Sequence, residues 1–127
     1  MWSTNMDSHG LLFSCLGFWK LFLYHDAMST PLNSESISTA LKNLPDWKHY
    51  ENKLTKTILF RDFRESMGFL MEMAFECESA NHHPEIYQVY NRLRLELTTH
   101  DAGGQVTQKD INLAKTIEAV LAKRVLA

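Results

Sequence analysis

Two cysteines are all that the 127 residues contain, Cys15 and Cys77. They form no CxxC pair and no zinc-type spacing, so the chain offers no disulfide framework and reads as reduced thiols in a reducing compartment, the cytoplasm. Neither sign of charge prevails: 13 Lys and Arg stand against 15 Asp and Glu, a net charge of −2. That balance gives no electrostatic reason for direct nucleic-acid contact or for an anionic membrane. There is no GxSxG context for a serine nucleophile, no HExxH, no internal repeat and no low-complexity tract. Long apolar runs are also missing. The densest, LLFSCLGFW at Leu11 to Trp19, continues as KLFLY only across Lys20 and is too short to span a bilayer comfortably. The residues before it carry Asp7 and His9 rather than positive charge, and no small-residue cleavage site follows, so a signal peptide does not fit. Residues 1–27 therefore read as a dispensable extension, and residues 28–127 as one domain with a modest core.

What is present is patterned. After the loop at Ser29 to Asn33, Ser34 is placed to cap a short helix carrying Ile37, Ala40, Leu41 and Leu44, and Pro45 ends it. WKHYEN and KTILF read as two strands of a hairpin around Lys53 to Thr55, although no Asn-Gly marks the turn. RDFRESMGFLMEMAFECESAN is the longest helical pattern. Asp62 and Glu65 have capping-box spacing, and Phe63, Met67, Leu70, Met71 and Ala74 form a stripe that Phe69, Met73 and Phe75 widen. So apolar a helix is expected to be buried on more than one side, against a sheet and a partner subunit. Its methionines read as core filler. Beyond Pro84 the period changes to two: Leu93, Leu95 and Leu97 alternate with Arg92, Arg94 and Glu96. Thr107 and Asp110 repeat the capping-box spacing before a helix with Ile111, Leu113, Ala114, Ile117, Val120 and Leu121 on its core side. Helix, two strands, long helix, two strands, helix is the order of an α+β sandwich, a four-stranded antiparallel sheet with helices packed on one face.

The chemistry gathers at NHHPEIYQVYN, Asn81 to Asn91. Proline pushes His83 to extended geometry, and if His82 is extended too, their rings part to opposite sides of the chain and chelate one metal poorly. His100, in TTHD, lies at the end of the strand that pairs with the one after Pro84. A tight hairpin about Asn91 then brings His82, His83 and His100 to one edge of the sheet. Three readings stand for such a group. One is a set of hydrogen-bonded rim residues. A second is a zinc site with ring nitrogens ~2 Å from one point and Glu78 or Asp101 behind them. The third is metal-free acid–base catalysis, which suits side chains that titrate near neutral pH.

These segments resemble one family. Trp47 after LPD, FRDF, CESANHHPE, VYNRLRLELTTHD, GG and KDINLAK occur in the order and nearly the spacing of the pterin-4a-carbinolamine dehydratases, over about Leu32 to Leu121. The resemblance implies the sheet-and-helix fold inferred above, assembled as a homodimer or homotetramer. It implies removal of water from 4a-hydroxytetrahydropterin, with no cofactor and no metal, to return quinonoid dihydropterin for tetrahydrobiopterin recycling. By resemblance His82, His83 and His100 are catalytic, while Glu78, Asn81, Thr98, Thr99, Asp101 and Asp110 bind substrate or orient the histidines. Some family members also act as dimerisation partners of homeodomain transcription factors, which makes a protein-binding role the alternative function. Three positions depart from the pattern: Ile86 stands where Trp is common, Asn81 where Asp is common, and GGQVTQKD is one residue longer than the usual loop.

Overall fold

The computed structural model describes residues 28–125. The expectation for residues 1–27 falls outside that range. Three α-helices, α1 (Ser34–Leu41), α2 (Phe63–Ala80) and α3 (Gln108–Val125), pack on one face of four strands, β1 (Lys48–Tyr50), β2 (Lys53–Leu59), β3 (Glu85–Val89) and β4 (Arg92–Leu97). The strands form one antiparallel sheet in the order β1-β2-β4-β3. This is the α+β arrangement expected from the sequence. Leu93, Leu95 and Leu97 of β4 and Leu54 of β2 are fully buried beneath the helices. Phe69 and Met73 of α2 and Ile111, Ala114 and Ile117 of α3 meet them from above, and Ile37 of α1 completes the cluster.

Local chemistry sets the element ends, and it departs from expectation in three places. Asn33, not Ser34, caps α1: its side chain accepts from the Ser36 N–H at 2.8 Å. The first hairpin turns at Glu51–Asn52, before Lys53 rather than after it. Both residues sit at positive φ, 46° and 61°, the geometry of a tight two-residue turn, so Asn52 supplies without glycine what an Asn-Gly pair usually provides. On α2 the buried residues are Ser66, Phe69, Met73 and Cys77. Phe63, Met71 and Phe75 of the expected core stripe face outward, 51%, 60% and 72% exposed. A helix apolar all round does not reveal from its periodicity which side meets the sheet. Here small Ser66 lies against the sheet, where the Gln88 amide donates to its hydroxyl.

The cap of α2 matches its sequence signature. Asp62 accepts from the Glu65 N–H, and the Glu65 carboxylate reaches back to the Arg61 N–H. At the other end Asn81 takes the left-handed conformation, φ 47°, that closes the helix, a geometry asparagine tolerates better than most residues. The β3–β4 hairpin turns in two residues, Tyr90–Asn91, and the Asn91 side chain pins it by donating to the Phe60 carbonyl.

A lysine also enters the core layer. Lys56 points inward from β2 and is 7% exposed. Its ammonium donates to Glu118 of α3 and to the Pro45 carbonyl, and the Trp47 indole N–H donates to the same Glu118 oxygen at 2.8 Å. The opposite face of the sheet has no helix over it among the described residues. There Lys53 bridges Glu85 and Glu96 at 2.9 and 3.0 Å, and Arg94 lies over the Tyr87 ring.

Two outcomes follow from these ion pairs. Glu118→Ala leaves the Lys56 ammonium buried with one carbonyl partner and strands the indole N–H. It should cost about 2–3 kcal/mol in urea denaturation, against about 0.5 kcal/mol for an alanine at exposed Glu51. For Glu85, the Lys53 hydrogen bond holds the carboxyl below its ordinary value of 4.5. As pH falls, the unfolded chain takes up that proton first. The stabilisation is complete above pH 4.5 and is lost as pH drops through the lowered value. Lys53→Met should therefore flatten the acid limb of a plot of denaturation midpoint against pH.

Candidate active site

The sheet and the helix layer meet at one end in an open cleft. It is built by three chain segments: the loop leaving α2, the turn leaving β4 and the first turn of α3. Asn81 in its left-handed conformation redirects the chain, and the His82 N–H closes the helix end on the Cys77 carbonyl. After β4 the chain makes a bridge between Thr99 and Gln105 and folds a single 3₁₀ turn, His100–Ala102, inside it. Gly103 and Gly104, both at φ near 70° (71° and 70°), carry the return.

The cleft has a volume of about 440 Å³, and its walls include His82, His83, His100, Asn81, Thr99 and Asp101. The three histidines thus share one cavity, and they differ in how they are held. His82 is almost covered, its side chain 11% exposed, with Nε2 2.6 Å from Asp110 Oδ1. His83 is 59% exposed and its Nε2 meets Glu78 at 2.9 Å. The two neighbouring rings part, each to its own carboxylate. His100 is exposed on the 3₁₀ turn, near enough to Glu85 for its charge to help lower that carboxyl.

Asp110 lies beneath the cleft with no solvent exposure. Its Oδ2 accepts the Thr107 N–H at 2.8 Å and the Thr99 hydroxyl at 2.9 Å, while Oδ1 faces His82. The capping-box spacing read from Thr107 and Asp110 is realised in this reach back to the first N–H of the helix end. Thr99 and Thr107 are buried too, their hydroxyls 2.7 Å apart, and Thr107 Oγ1 accepts the Lys109 N–H at 3.2 Å. Negative charge at this point also lies at the N-terminus of α3, where the helix dipole favours it.

The remaining expected residues divide. Glu78 is outside the cleft wall and reaches the site through His83. Thr98 does not reach it: it is buried and its hydroxyl donates to the Asn52 carbonyl at 3.4 Å. In an extended strand end, Thr98 and Thr99 must point to opposite sides, so only one of the pair can serve the site. Lys109, Glu85 and Pro84 also line the cleft but are not among the site residues expected from the sequence, where Pro84 is read only as fixing His83. Lys109 lies beside Asp110 in KDINLAK and Glu85 follows the histidines in NHHPE, so their position in those motifs was the available signal. Ile86, at the place where Trp is common, is 45% exposed on β3. Among the described residues no three His, Cys, Asp or Glu side chains are placed to hold one metal ion.

Cys77 sits on the buried face of α2, and burial first, with the nearby Glu76 charge second, pushes its thiol up to about 11. A thiol so placed is protonated at neutral pH and is no nucleophile for this cleft.

Comparison with known proteins agrees with the geometry. The family model described as Pterin 4 alpha carbinolamine dehydratase matches residues 30–120. Two relatives bearing the pterin-4-alpha-carbinolamine dehydratase name illustrate the match. One from Opitutus terrae is 45% identical over 93 residues, 73% of this chain and 96% of its own. One from Solibacter usitatus is 43% identical over 95 residues, 75% of this chain and 99% of its own. Among solved structures, the transcriptional coactivator/pterin dehydratase from Brucella melitensis superposes with a TM-score of 0.68 at 31% identity, covering 72% of this chain and 98% of that one. The match spans all three segments that build the cleft, and the chain belongs to the pterin-4a-carbinolamine dehydratase family of hydro-lyases.

Proposed function

We propose that this chain removes water from 4a-hydroxytetrahydropterin and returns quinonoid dihydropterin for tetrahydrobiopterin recycling. The observation that carries the reading is the convergence of His82, His83 and His100 on one open cleft of about 440 Å³, within the range of small-ligand sites. The reaction needs an acid to protonate the departing hydroxyl and a base to take a ring N–H proton, and imidazoles do both near neutral pH. Asn81, Thr99, Asp101 and Lys109 supply polar contacts on the wall, and Glu78 supports His83 from outside. His82 and His83 each have their own carboxylate partner rather than a common ligand point, which fits proton transfer without a metal.

We propose also that residues 28–127 suffice for the activity, that the chain acts in the cytoplasm, and that it assembles as a homodimer or homotetramer. Assembly is supported by the outward Phe63, Met71 and Phe75 of α2, an apolar patch that is costly in water. Among the described residues no helix is long and apolar enough to cross a membrane. The same patch supports a second reading, a dimerisation partner for a transcription factor, in keeping with the coactivator name of the Brucella melitensis protein.

The decisive measurement is the decay of 4a-hydroxytetrahydropterin, followed by absorbance with and without protein. Catalysed decay should survive exhaustive chelation and should be unchanged in a chain beginning at Met28. Alanine at any one of the three histidines should lower kcat by about 10²–10⁴-fold. His83→Ala and His100→Ala should shift stability by about 0.5 kcal/mol or less, whereas His82→Ala, which deprives buried Asp110 of a donor, should cost ~1–3 kcal/mol. No acceleration by the intact protein would leave the binding reading in its place. Sedimentation velocity should show a dimer or tetramer that Met71→Glu dissociates, and a monomer at micromolar concentration would refute the assembly.

A further inference from the structure

Glu85 and Glu96 stand directly opposite each other on β3 and β4. Like charges at paired positions of an antiparallel sheet repel, and the pair is destabilising unless a cation intervenes. Lys53 is that cation. From the first position of β2 it reaches across β4, and its ammonium donates to Glu85 Oε2 at 2.9 Å and to Glu96 Oε2 at 3.0 Å. The Tyr87 hydroxyl donates to the same Glu85 oxygen at 3.1 Å, and Arg94 meets the other Glu96 oxygen at 3.3 Å. The Lys53 hydrogen bond keeps the Glu85 carboxyl below its ordinary range, so it is charged at neutral pH. Glu85 is thereby a charge fixed in place, and it lies on the cleft wall, whereas Lys53 and Tyr87 do not. The surroundings share its sign. Asp101 is on the same wall, Asp110 lies beneath it and Glu78 stands behind His83, while Lys109 is the only ammonium among the lining residues. Asp101 is exposed and Glu78 is 83% exposed, so water screens both, and the charge of Asp110 is met by donors on each oxygen. Glu85 is left as the ordered, uncovered negative charge of the wall.

We propose that Glu85, fixed by Lys53 and Tyr87, is a specificity-determining residue that restricts the cleft to pterins with an uncharged ring substituent and excludes those whose substituent carries a carboxylate or phosphate. The inference rests on the dehydratase reading above for its substrate class, but the charge preference itself is a property of the wall and is measured by binding alone. The pterin ring carries no charge near neutral pH, so the substituent is the part on which charge can discriminate. A cavity of about 440 Å³ is about one Debye length across, so an anion placed anywhere inside it feels the wall. Two like charges a few ångströms apart near a protein surface repel by enough to weaken binding about tenfold. Selection of this kind works by repelling the wrong ligand, and it requires a charge that cannot turn away. The two donors on Glu85 Oε2 supply that restraint.

Two stable, fluorescent pterins that differ only in the substituent test this: 6-hydroxymethylpterin, which is neutral there, and pterin-6-carboxylate, which is anionic. Their Kd values are read by fluorescence titration of the full chain at about neutral pH. The intact protein should bind the neutral probe about tenfold more tightly at low salt. The ratio should fall towards one in about 0.5 M salt, where screening is strong, a measurement that needs no variant to fold. Glu85→Gln keeps the side-chain volume and leaves Lys53 its Glu96 partner, and it should lower the low-salt ratio by about three- to tenfold. Equal affinities in the intact protein overturn the inference, as does failure of both probes to bind. Tighter binding of the carboxylate overturns it in favour of Lys109 as an anion anchor. A ratio that salt does not move also overturns it, because shape rather than charge then discriminates. So does an unchanged ratio in Glu85→Gln with both probes weakened alike, because the carboxylate then holds the ring. Decay of a neutral 4a-hydroxytetrahydropterin separates the two readings. If the neutral probe is preferred but decay is not accelerated, the dehydratase reading fails and the charge preference stands. If decay is accelerated with no preference between the probes, the dehydratase reading stands and the role given to Glu85 fails.

Discussion

A carboxylate with no solvent exposure holds this protein's functional end together. Asp110 ties three segments: α3, to which it belongs, the strand end at Thr99, and the loop after α2 through His82. Burying an ion is unfavourable unless its oxygens are met by donors, and here each oxygen is. The cost of desolvation is offset only when all three segments are in register, so the same interaction that makes the cleft also specifies it. The glycine return at 103–104 and the left-handed Asn81 are the backbone conditions under which the three donors can converge.

The cleft's two kinds of histidine environment follow from the layers around it. His82 sits where the helix layer covers the sheet end and is nearly enclosed. His83 and His100 stand on the rim, exposed to water. Proton transfer needs both conditions: a fixed nitrogen at a defined place, and a group that recovers its proton from solvent. Lys53 and Glu85 extend the charged surface from the cleft wall to the uncovered sheet face.

Much of this was legible in the sequence, for identifiable reasons. The alternation of Leu93, Leu95 and Leu97 gave β4 its inward face because a strand with one wet side has only one consistent register. The three histidines were placed together by one inference, a tight turn at Asn91, and the turn is there. Two things were not legible. The buried side of α2 was hidden because Phe63, Met67, Met71 and Phe75 are as apolar as the residues that meet the sheet, so hydrophobicity carries no orientation. Thr98 and Thr99 were read as a pair because adjacent threonines look alike in a string, whereas strand geometry sends one to Asn52 and the other to Asp110. The Lys56–Glu118–Trp47 group was invisible for a related reason: a lysine in an alternating strand reads as solvent-facing until a distant glutamate gives it a partner.

The strand order carries a kinetic meaning. The β1–β2 and β3–β4 hairpins close through two-residue turns and cost little chain entropy to form. The central pairing of β2 with β4 joins Leu54 to Leu97 across the whole of α2 and β3, so it must be closed against a long loop. Nearly every cleft residue lies in the continuous stretch from Asn81 to Asp110, on the local side of that closure. The cleft residues are therefore neighbours along the chain before the domain exists. The sheet beneath the helices is complete only with the non-local pairing of β2 and β4, so the platform under the cleft comes last although the cleft's own residues are local.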